Sequence, residues 1–350
     1  MSTGASGPLR PFVSILVPVR NEERSIERCL YSIAAQSYPR DRIEVLVIDG
    51  MSQDRTRAII SRFAAETSID LRLFDNPRLI PAAALNIGLQ HARGDLILRV
   101  DGHAALGAGY LQRCVQALDQ HAAECAGGVL LNEGYGTVGR AIAAAMSSPF
   151  GVGGARFRTG GAAGETDTVA FGVYRSDVFD HLGGFDESLV GGEDDEFNYR
   201  LRDAGGLIVL VPDAIAAYTV RGDLRSLARQ YFRYGFAKPR VLARHPRQAR
   251  ARQLIPPASA IAGIAAGVAA IAGRPAALRA LLGAYALLTT GASVAMGRRH
   301  GWRAVPAMPP VFFCMHAAYG LGFLAGTALL FTNVSALHQP SRANEQTPFG

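Results

Sequence analysis

The chain has 350 residues, of which 49% are hydrophobic and only 19% are charged, whereas soluble domains carry about 25% charged residues. Residues 1–223 carry a net charge of −7, and residues 224–350 carry +14 with a single acid, Glu345. Because the basic residues of the second half are interleaved with long apolar runs, the composition argues against both an all-soluble protein and a nucleic-acid-binding protein.

The N-terminal sequence lacks the apolar segment of a cleaved signal peptide, so we expect the first half of the chain to stay in the cytoplasm. The cysteines are scattered without CxxC spacing, which indicates neither a zinc site nor a disulfide framework. They are Cys29, Cys114, Cys125 and Cys314.

The first hundred residues alternate apolar strand patterns with helical ones. The predicted strands lie at residues 12–19, 43–50, 69–75 and 94–103. This alternation predicts an α/β fold with a mostly parallel sheet covered by helices on both faces. Ligands bind at the carboxyl ends of such strands. The polar residues found there, 20–22, Asp49 and 101–103, therefore predict a functional site.

Asp101 and His103 end the fourth predicted strand as an Asp-x-His triplet. A carboxylate and an imidazole two residues apart can hold a divalent cation together with a diphosphate. An acidic turn that caps the next helix is the alternative. Further along the chain, the glycine-rich segment 151–164 contains Arg156 and Arg158. It is either a mobile lid over the site or a plain surface loop.

Four consecutive acids occupy residues 193–196, at the start of a predicted helix. The helix dipole favours acids at this end, which accounts for one or two of them but not for a block of four. Clustered carboxylates raise the pKa of at least one member, as a general base requires. A metal site and a simply capped helix are the alternatives.

The segment 224–253 is basic and amphipathic, with Arg225, Arg229 and Arg233 recurring on one helical face. Like charges at this spacing repel one another in water. The stripe therefore fits a helix at an anionic membrane surface, and a solvated helix face is the alternative. Three uncharged stretches follow, and each is about long enough to cross a membrane. They lie at residues 254–273, 280–297 and 308–331.

The flanking arginines predict how these helices are oriented. Segment 238–253 carries six basic residues and the link after the second stretch carries three, whereas the link between the first two carries only Arg274 and Arg279. The positive-inside rule then places the globular half in the cytoplasm and the C-terminus outside. We expect a multi-pass protein of the inner (plasma) membrane.

Five segments occur in an order and at separations that resemble glycosyltransferase family 2, the inverting enzymes of GT-A fold. Within it, the resemblance is to bacterial exopolysaccharide glucosyltransferases of the succinoglycan-biosynthesis type, strongly over residues 11–240. The segments are ILVPVRNEE, VLVIDGMSQDRT, ALNIGLQHARGDLILRVDGH, GGFDESLVGGEDDEFNYRLRDAG and QYFRYG. The resemblance implies a Rossmann-like GT-A domain. The charge and hydropathy pattern predicts that this domain spans 1–223, followed by an interfacial segment at 224–253, three transmembrane helices within 254–331 and a tail at 332–350.

The resemblance also implies roles for residues in the first half. Pro18, Arg20 and Glu22 would line the nucleotide pocket, and Asp49 would accept a hydrogen bond from the uracil ring. Asp101 would be the first acid of the DxD motif, binding Mg²⁺ or Mn²⁺ and the donor diphosphate. This chain departs from the motif at its third position, where His103 stands as a further predicted metal ligand.

The later motifs would complete the site. Asp194 of the Glu-Asp pair would be the catalytic base, with Glu193 beside it as a contact for the acceptor or the diphosphate. Gln230, Arg233 and Tyr234 match the QxxRW motif, with tyrosine in place of tryptophan, and would touch the diphosphate or the acceptor.

These residues predict a membrane-anchored inverting transferase that moves a hexose, glucose by the resemblance, from a UDP-sugar to a polyprenyl-diphosphate-linked saccharide in exopolysaccharide biosynthesis. A processive polysaccharide synthase is one alternative, although such synthases carry membrane helices before the catalytic domain and a tryptophan in QxxRW. A non-catalytic membrane scaffold or translocation subunit is another. It would be favoured had Asp49, Asp101 and Asp194 been lost, and all three are present.

Overall fold

The computed structural model describes residues 10–189 and 191–337. Its strands are β1 (Val13–Val19), β2 (Ile43–Asp49), β3 (Asp70–Asp75), β4 (Leu96–Arg99), β5 (Ala104–Leu106), β6 (Cys125–Glu133), β7 (Gly164–Glu165), β8 (Ala170–Arg175) and β9 (Ile208–Thr219). Its helices are α1 (Ile26–Ala34), α2 (Thr56–Glu66), α3 (Pro81–His91), α4 (Tyr110–His121), α5 (Gly136–Met146), α6 (Pro149–Val152), α7 (Arg156–Thr159), α8 (Asp177–Leu182), α9 (Glu193–Asp203), α10 (Leu224–Arg244), α11 (Ala251–Ile271), α12 (Ala276–His300) and α13 (Met308–Leu337).

The strands form one mixed sheet in the order β3-β2-β1-β4-β8-β6-β9-β5, with β7 added on β9. The predicted α/β class is confirmed. The expected parallel pairing holds from β3 to β4. Beyond β4 the sheet is mixed, because β8 runs antiparallel to both of its neighbours. The carboxyl ends of β1, β2 and β4 therefore lie at one edge, as the strand pattern predicts.

Both faces of the sheet are covered, which explains the near-continuous apolar strands. In β1, Val13, Ile15 and Val17 pack into one core layer, and the alternate residue Leu16 packs into the other. All four are fully buried. Alternate residues of a strand point to opposite faces, so a strand covered on both sides must be apolar throughout.

Residues 208–219 form a single strand, β9, where the separate apolar runs LIVLVP and IAAYTV of the sequence predict two short strands. The register against β6 shifts between Gly127 and Val129, so that Gly127 pairs with Leu210 and Val129 with Ile215. At the shift, a Cβ on Gly128 would lie 1.7 Å from the carbonyl oxygen of Ala214. The close approach of two backbones requires glycine here, and the irregularity allows β9 to continue past Pro212.

Three segments are long and apolar enough to cross a membrane, Ala251–Ile271, Ala276–Arg299 and Trp302–Thr332, as the sequence predicts for the described part of the chain. The start of α13 also belongs to the core of the sheet domain. Met308, Val311, Phe312 and Met315 are buried with residues 141–146 of α5. The division at residue 224 remains a prediction. Of the predicted tail, residues 332–337 continue α13, and 338–350 lie outside the described residues.

Helix α10 packs directly against α13 through glycines. A Cβ on Gly235 would lie 2.0 Å from the carbonyl oxygen of Tyr319, and one on Gly322 would lie 2.2 Å from that of Phe232. Small residues that let two backbones approach closely are typical of helix packing in membranes. The basic helix is thereby fixed to the third membrane-type helix.

We expect Gly235→Ala to lower the midpoint of thermal unfolding of the full chain in detergent, because the added methyl forces α10 and α13 apart at a cost of about 1–3 kcal/mol. The matched control is Gly267→Ala in α11, where nothing lies within 4 Å of the added Cβ. There the substitution improves helix propensity. Equal midpoints for the two variants would contradict this packing.

Candidate active site

The loops after β1 and β2 are tied together at the carboxyl edge of the sheet. Asn21, which has a positive φ of 55°, donates its backbone N–H to Ser52 Oγ at 2.8 Å. Asp49 is fully buried at the end of β2. Its carboxylate accepts hydrogen bonds from the Ser52 backbone N–H at 3.1 Å and from Arg57 Nη1 at 2.8 Å. This predicted uracil contact therefore lies in a rigid, polar corner.

The other residues predicted for the nucleotide pocket follow β1. Pro18 is partly buried and pairs in register with Ile48, whereas Arg20 is exposed and covers Gly50. Glu22 is turned towards the predicted metal site, where its Oε1 lies 3.0 Å from His103 Nδ1. The structure thus brings Glu22 next to the Asp-x-His triplet and leaves Arg20 at the surface.

Arg99, at the end of β4, joins the two acidic motifs. Its Nη2 lies 3.1 Å from Asp101 Oδ1 and 3.1 Å from Glu193 Oε1, and its Nη1 lies 3.6 Å from Asp194 Oδ2. Nη1 is buried and has no hydrogen-bond partner within the described residues. The Arg99 guanidinium therefore contacts the predicted metal ligand Asp101, the predicted base Asp194 and its neighbour Glu193 at the same time.

The acids respond differently to this environment. Burial favours the neutral form of Asp101, but the charges of Arg99 and His103 and the hydrogen bond from Arg99 together outweigh it and lower the pKa of this carboxyl. Burial raises the pKa values of Glu193 and Asp194, and the charge of Arg99 offsets this only in part. A carboxylate that stays ionised thus lies beside two that bind protons more readily, which is the arrangement that separates metal binding from base chemistry.

His103 is paired with a carboxylate in this structure. Burial opposes its protonation, but the hydrogen bond to Glu22 and nearby negative charge raise its pKa to about 9. An imidazolium offers no lone pair to a metal, so ligation would require His103 to lose its proton. Within the described residues, no group of three His, Cys, Asp or Glu side chains converges as a metal site.

A divalent cation still fits the donor set. Mg²⁺ is commonly held by one or two carboxylates together with substrate phosphates rather than by an all-protein cage. Asp101, with its lowered pKa, supplies such a carboxylate. The remaining ligands would come from the diphosphate of a nucleotide sugar.

The QxxRW-like residues of α10 separate onto two faces. Gln230 is buried, and its Nε2 donates to Tyr234 Oη at 2.8 Å and to Tyr218 Oη at 3.2 Å. Tyr234 lines the main cavity, together with Tyr218. Arg233 is exposed and is not among the described residues that line this cavity. Two of the three predicted residues therefore contribute to one hydroxyl cluster, and the third lies away from it.

A cavity of about 710 Å³ connects the acidic cluster with the membrane-type helices. Arg99, Asp101, Glu193 and Asp194 line one part of it. The glycine-rich segment forms a wall as α6 and α7, and Arg158 from this wall hydrogen-bonds Asn132 Oδ1 at 2.9 Å and lies 5.2 Å from the centre of the Tyr218 ring. The rest of the cavity is lined by residues of α10, α11, α12 and α13, including Tyr231, Lys238, Arg252, Pro256, Leu288, Met315 and Tyr319.

Sequence reasoning gave no role in the site to three cations that line this cavity, Arg99, Lys238 and Arg252, and noted Arg158 only as part of a candidate lid. Arg99 left a signal, because a charged residue near the end of the apolar run LILRV needs a buried partner. Lys238 left another, since it is the sole lysine of the chain. Arg158 could be noticed only as one of two arginines in a glycine-rich segment.

Known proteins match the part of the chain that carries these motifs. The sequence profile described as Glycosyl transferase family 2 matches residues 14–183. The chain is 31% identical to the succinoglycan biosynthesis protein ExoA of Rhizobium meliloti over 312 residues, which is 88% of this chain and 93% of ExoA.

Two further proteins, one compared by sequence and one by fold, are similar to this chain. One is a transferase of Methanococcus voltae named dolichyl N-acetyl-alpha-D-glucosaminyl phosphate 3-beta-D-2,3-diacetamido-2,3-dideoxy-beta-D-glucuronosyltransferase. The chain is 27% identical to it over 238 residues, which is 65% of this chain and 73% of the relative. The fold resembles the mannosyltransferase PcManGT of Pyrobaculum calidifontis, solved with GDP-Man and Mn²⁺. The TM-score is 0.62 at 23% identity, covering 90% of this chain and 88% of the other.

Proposed function

The chain belongs to glycosyl transferase family 2, and from this premise we propose that it moves a hexose, glucose first among them, from a UDP-sugar to a polyprenyl-diphosphate-linked saccharide. That it is a nucleotide-sugar-dependent glycosyltransferase follows from the family. The glucose donor, the lipid acceptor and a role in exopolysaccharide synthesis are the proposed part. The similarity to ExoA over most of both chains supports them.

The observation that carries this proposal is the cavity that runs from Asp101 and Asp194 to the helices α11, α12 and α13. A water-soluble acceptor would need no access from helices that are apolar enough to cross a membrane. The relative from Methanococcus voltae is named for a dolichyl-phosphate-linked acceptor, which supports the same acceptor class here.

In the proposed mechanism Asp194 removes the proton of the acceptor hydroxyl as that oxygen attacks the anomeric carbon of the sugar. The bond to the donor diphosphate breaks in the same step on the opposite face, so the anomeric configuration inverts. Asp101 would hold Mg²⁺ or Mn²⁺ together with the diphosphate, and the cation would supply positive charge to the leaving group. Arg158, which has neutral neighbours in Asn132 and Tyr218, would add to that charge.

We also propose residues for the nucleotide and the acceptor. Asp49, in its rigid corner, would accept the uracil N–H, with Pro18, Arg20 and Glu22 around the nucleoside. Glu193, Gln230 and Tyr234 would border the diphosphate or acceptor, and Arg233 would do so only after a change in helix orientation, because it is exposed.

The proposed setting is the inner membrane, with residues 1–223 in the cytoplasm, 224–253 at the interface and three helices within 254–331 crossing. The basic residues before α11 support this orientation under the positive-inside rule. In this arrangement Asp194 lies on the cytoplasmic side of the membrane, where a UDP-sugar donor would be available.

A donor screen tests the proposal. Membranes containing the full chain are incubated with UDP-Glc, UDP-Gal, UDP-GlcNAc or UDP-GlcA and a bacterial lipid extract, and UDP release is measured. We expect release to be fastest with UDP-Glc, to depend on the extract and to stop when a chelator removes divalent cations. A product one sugar longer, recovered in the organic phase, is expected. A ladder of products would support a processive synthase, and release independent of the lipid extract would contradict the acceptor class.

A further inference from the structure

Lys238 occupies the passage between the acidic cluster and the membrane-type helices. Its ammonium is ion-paired with Asp195, the residue that follows the proposed base. It also lies 5.6 Å from the centre of the Tyr199 ring, and it lines the same cavity as Tyr319 of α13. The side chain is 9% exposed and lines the cavity. Lys238 therefore lies between the acidic cluster and the helices α11, α12 and α13.

The choice of lysine at this position is itself informative. The chain contains 36 basic residues of the lysine and arginine type, and every one except Lys238 is arginine. An ammonium group is a compact point charge with three donors, whereas a guanidinium is a planar fork. Asp195 accepts one of these donors, and the structure gives no second acceptor within the described residues. Two donors remain for a ligand in the cavity.

Arg252, in the first turn of α11, adds another cation to the same cavity, on the side of the membrane-type helices. It pairs with Asp167, but Arg250 Nε also lies 4.0 Å from that carboxylate. One acid cannot neutralise both arginines. A smaller pocket of about 350 Å³ adjoins at Arg252 and includes Arg156 and Arg202 as well, with four arginines against the two acids Glu165 and Asp167. The start of α11 is therefore net positive.

Beyond these cations the lining becomes apolar. Ile255 and Pro256 of α11, Leu288 of α12 and Met315 of α13 form this part of the wall. A cationic pair followed by an apolar groove between membrane-type helices matches one ligand chemistry, a phosphate group that carries a long hydrocarbon chain.

We propose that Lys238 and Arg252 bind the phosphate groups of the acceptor lipid, with its first isoprene units between α11, α12 and α13. This assignment rests on the proposed function and names the lipid subsite of its acceptor. The assignment also limits the length of the acceptor, because Lys238 is ion-paired with Asp195, the residue next to the proposed base Asp194. The attacked hydroxyl must lie near the phosphate, so the acceptor is a short lipid-linked saccharide rather than a long chain.

Calorimetry on the purified full chain in detergent tests the site without requiring sugar transfer. The probe is farnesyl diphosphate, with farnesol and inorganic diphosphate as its tail-only and head-only counterparts. We expect the wild-type chain to bind farnesyl diphosphate more tightly than either counterpart. Lys238→Met should weaken this binding roughly tenfold or more, since a charge-assisted contact is lost.

The matched control is Arg240→Met, on the same helix, where the exposed guanidinium bonds only the Ser188 carbonyl oxygen among the described residues. Its affinity should equal that of the wild type. Arg252→Gln provides a second test on another helix, should Lys238→Met not fold. Unchanged affinity in both site variants would overturn the proposal, as would equal binding of inorganic and farnesyl diphosphate.

The two proposals fail in different ways. If the wild-type chain binds farnesyl diphosphate through Lys238 but transfers no sugar to lipid in the donor screen, the lipid site stands and the proposed function falls. If transfer to lipid occurs and Lys238→Met leaves the KM for the lipid acceptor unchanged, the site falls and the function stands. Hydrolysis of UDP-sugar in the absence of acceptor should be similar in wild type and in the control variant Arg240→Met, which shows that the control keeps an intact donor site.

Discussion

Replacing Asp194 with asparagine is expected to lower the turnover number roughly 10²–10⁴-fold, the range that a general base contributes. The amide keeps the shape of the side chain but cannot accept the proton of the acceptor hydroxyl. Donor affinity should change little, because Asp101 and the loops after β1 and β2 are left in place. Turnover and the KM for the UDP-sugar, measured with the lipid acceptor, check this result.

Glu196→Gln is the matched control for Asp194→Asn. Both acids lie in the first turn of α9 and both substitutions convert a carboxylate to an amide. Glu196, however, is ion-paired with Arg200 at 2.8 Å on the other side of the helix. We expect this variant to lose some thermal stability and to keep its turnover number within a few-fold. Similar losses of turnover in both variants would contradict the assignment of the base to Asp194.

The pH dependence of turnover provides a second measurement on the same residue. A base must be ionised to act, so activity falls as the pH drops through its pKa. Burial raises the pKa of Asp194, which moves the acidic limb of the profile above the ordinary aspartate value of about 3.9. An acidic limb at that ordinary value would argue that Asp194 is solvated and not the base.

Local patterns in the sequence predict much of the sheet and of the membrane-type helices. The strands at residues 12–19 and 43–50 differ from β1 and β2 by one residue at an end, because apolar runs between polar turns depend on local composition. The single strand β9 was not predicted as one, since its continuity past Pro212 depends on the glycines of β6. That pairing joins segments about eighty residues apart, and no local pattern contains it.

The α10 residues show why a motif match alone does not define a site. Gln230, Tyr234 and Lys238 are spaced by four residues and share one helix face, whereas Arg233 is one residue away and lies about 100° around the helix. The motif includes Arg233 and leaves out Lys238. Only the packing of α10 on α13 decides which face meets the cavity, and that packing depends on Gly235 and Gly322.

Arg99 is the residue whose role depends most on the tertiary structure. It bridges Asp101, Glu193 and Asp194, which come from two motifs more than ninety residues apart. Its charge lowers the pKa of Asp194 against the effect of burial. We interpret Arg99 as a positioning residue that keeps the proposed base ionised and aimed at the cavity.

Arg99→Met should therefore lower turnover at pH 7 roughly 10²-fold, since Asp101, Glu193 and Asp194 lose their shared cation. Without that cation the pKa of Asp194 rises further, so the acidic limb of the pH profile moves to higher pH and part of the activity returns in alkaline buffer. Arg99→Lys, which keeps the charge but not the fork, should fall between the two.

Arg93→Met is the control, because Arg93 also bridges two carboxylates, those of Glu44 and Asp70, but at the opposite end of the strands. It should lower the midpoint of thermal unfolding and leave the acidic limb where it is. If Arg99→Met behaves in the same way, with lost stability and an unmoved limb, then Arg99 only holds the fold together. A limb that moves in Arg99→Met alone means that the guanidinium acts on the ionisation of Asp194, which is how one arginine at the end of β4 couples the strand to the acids of α9.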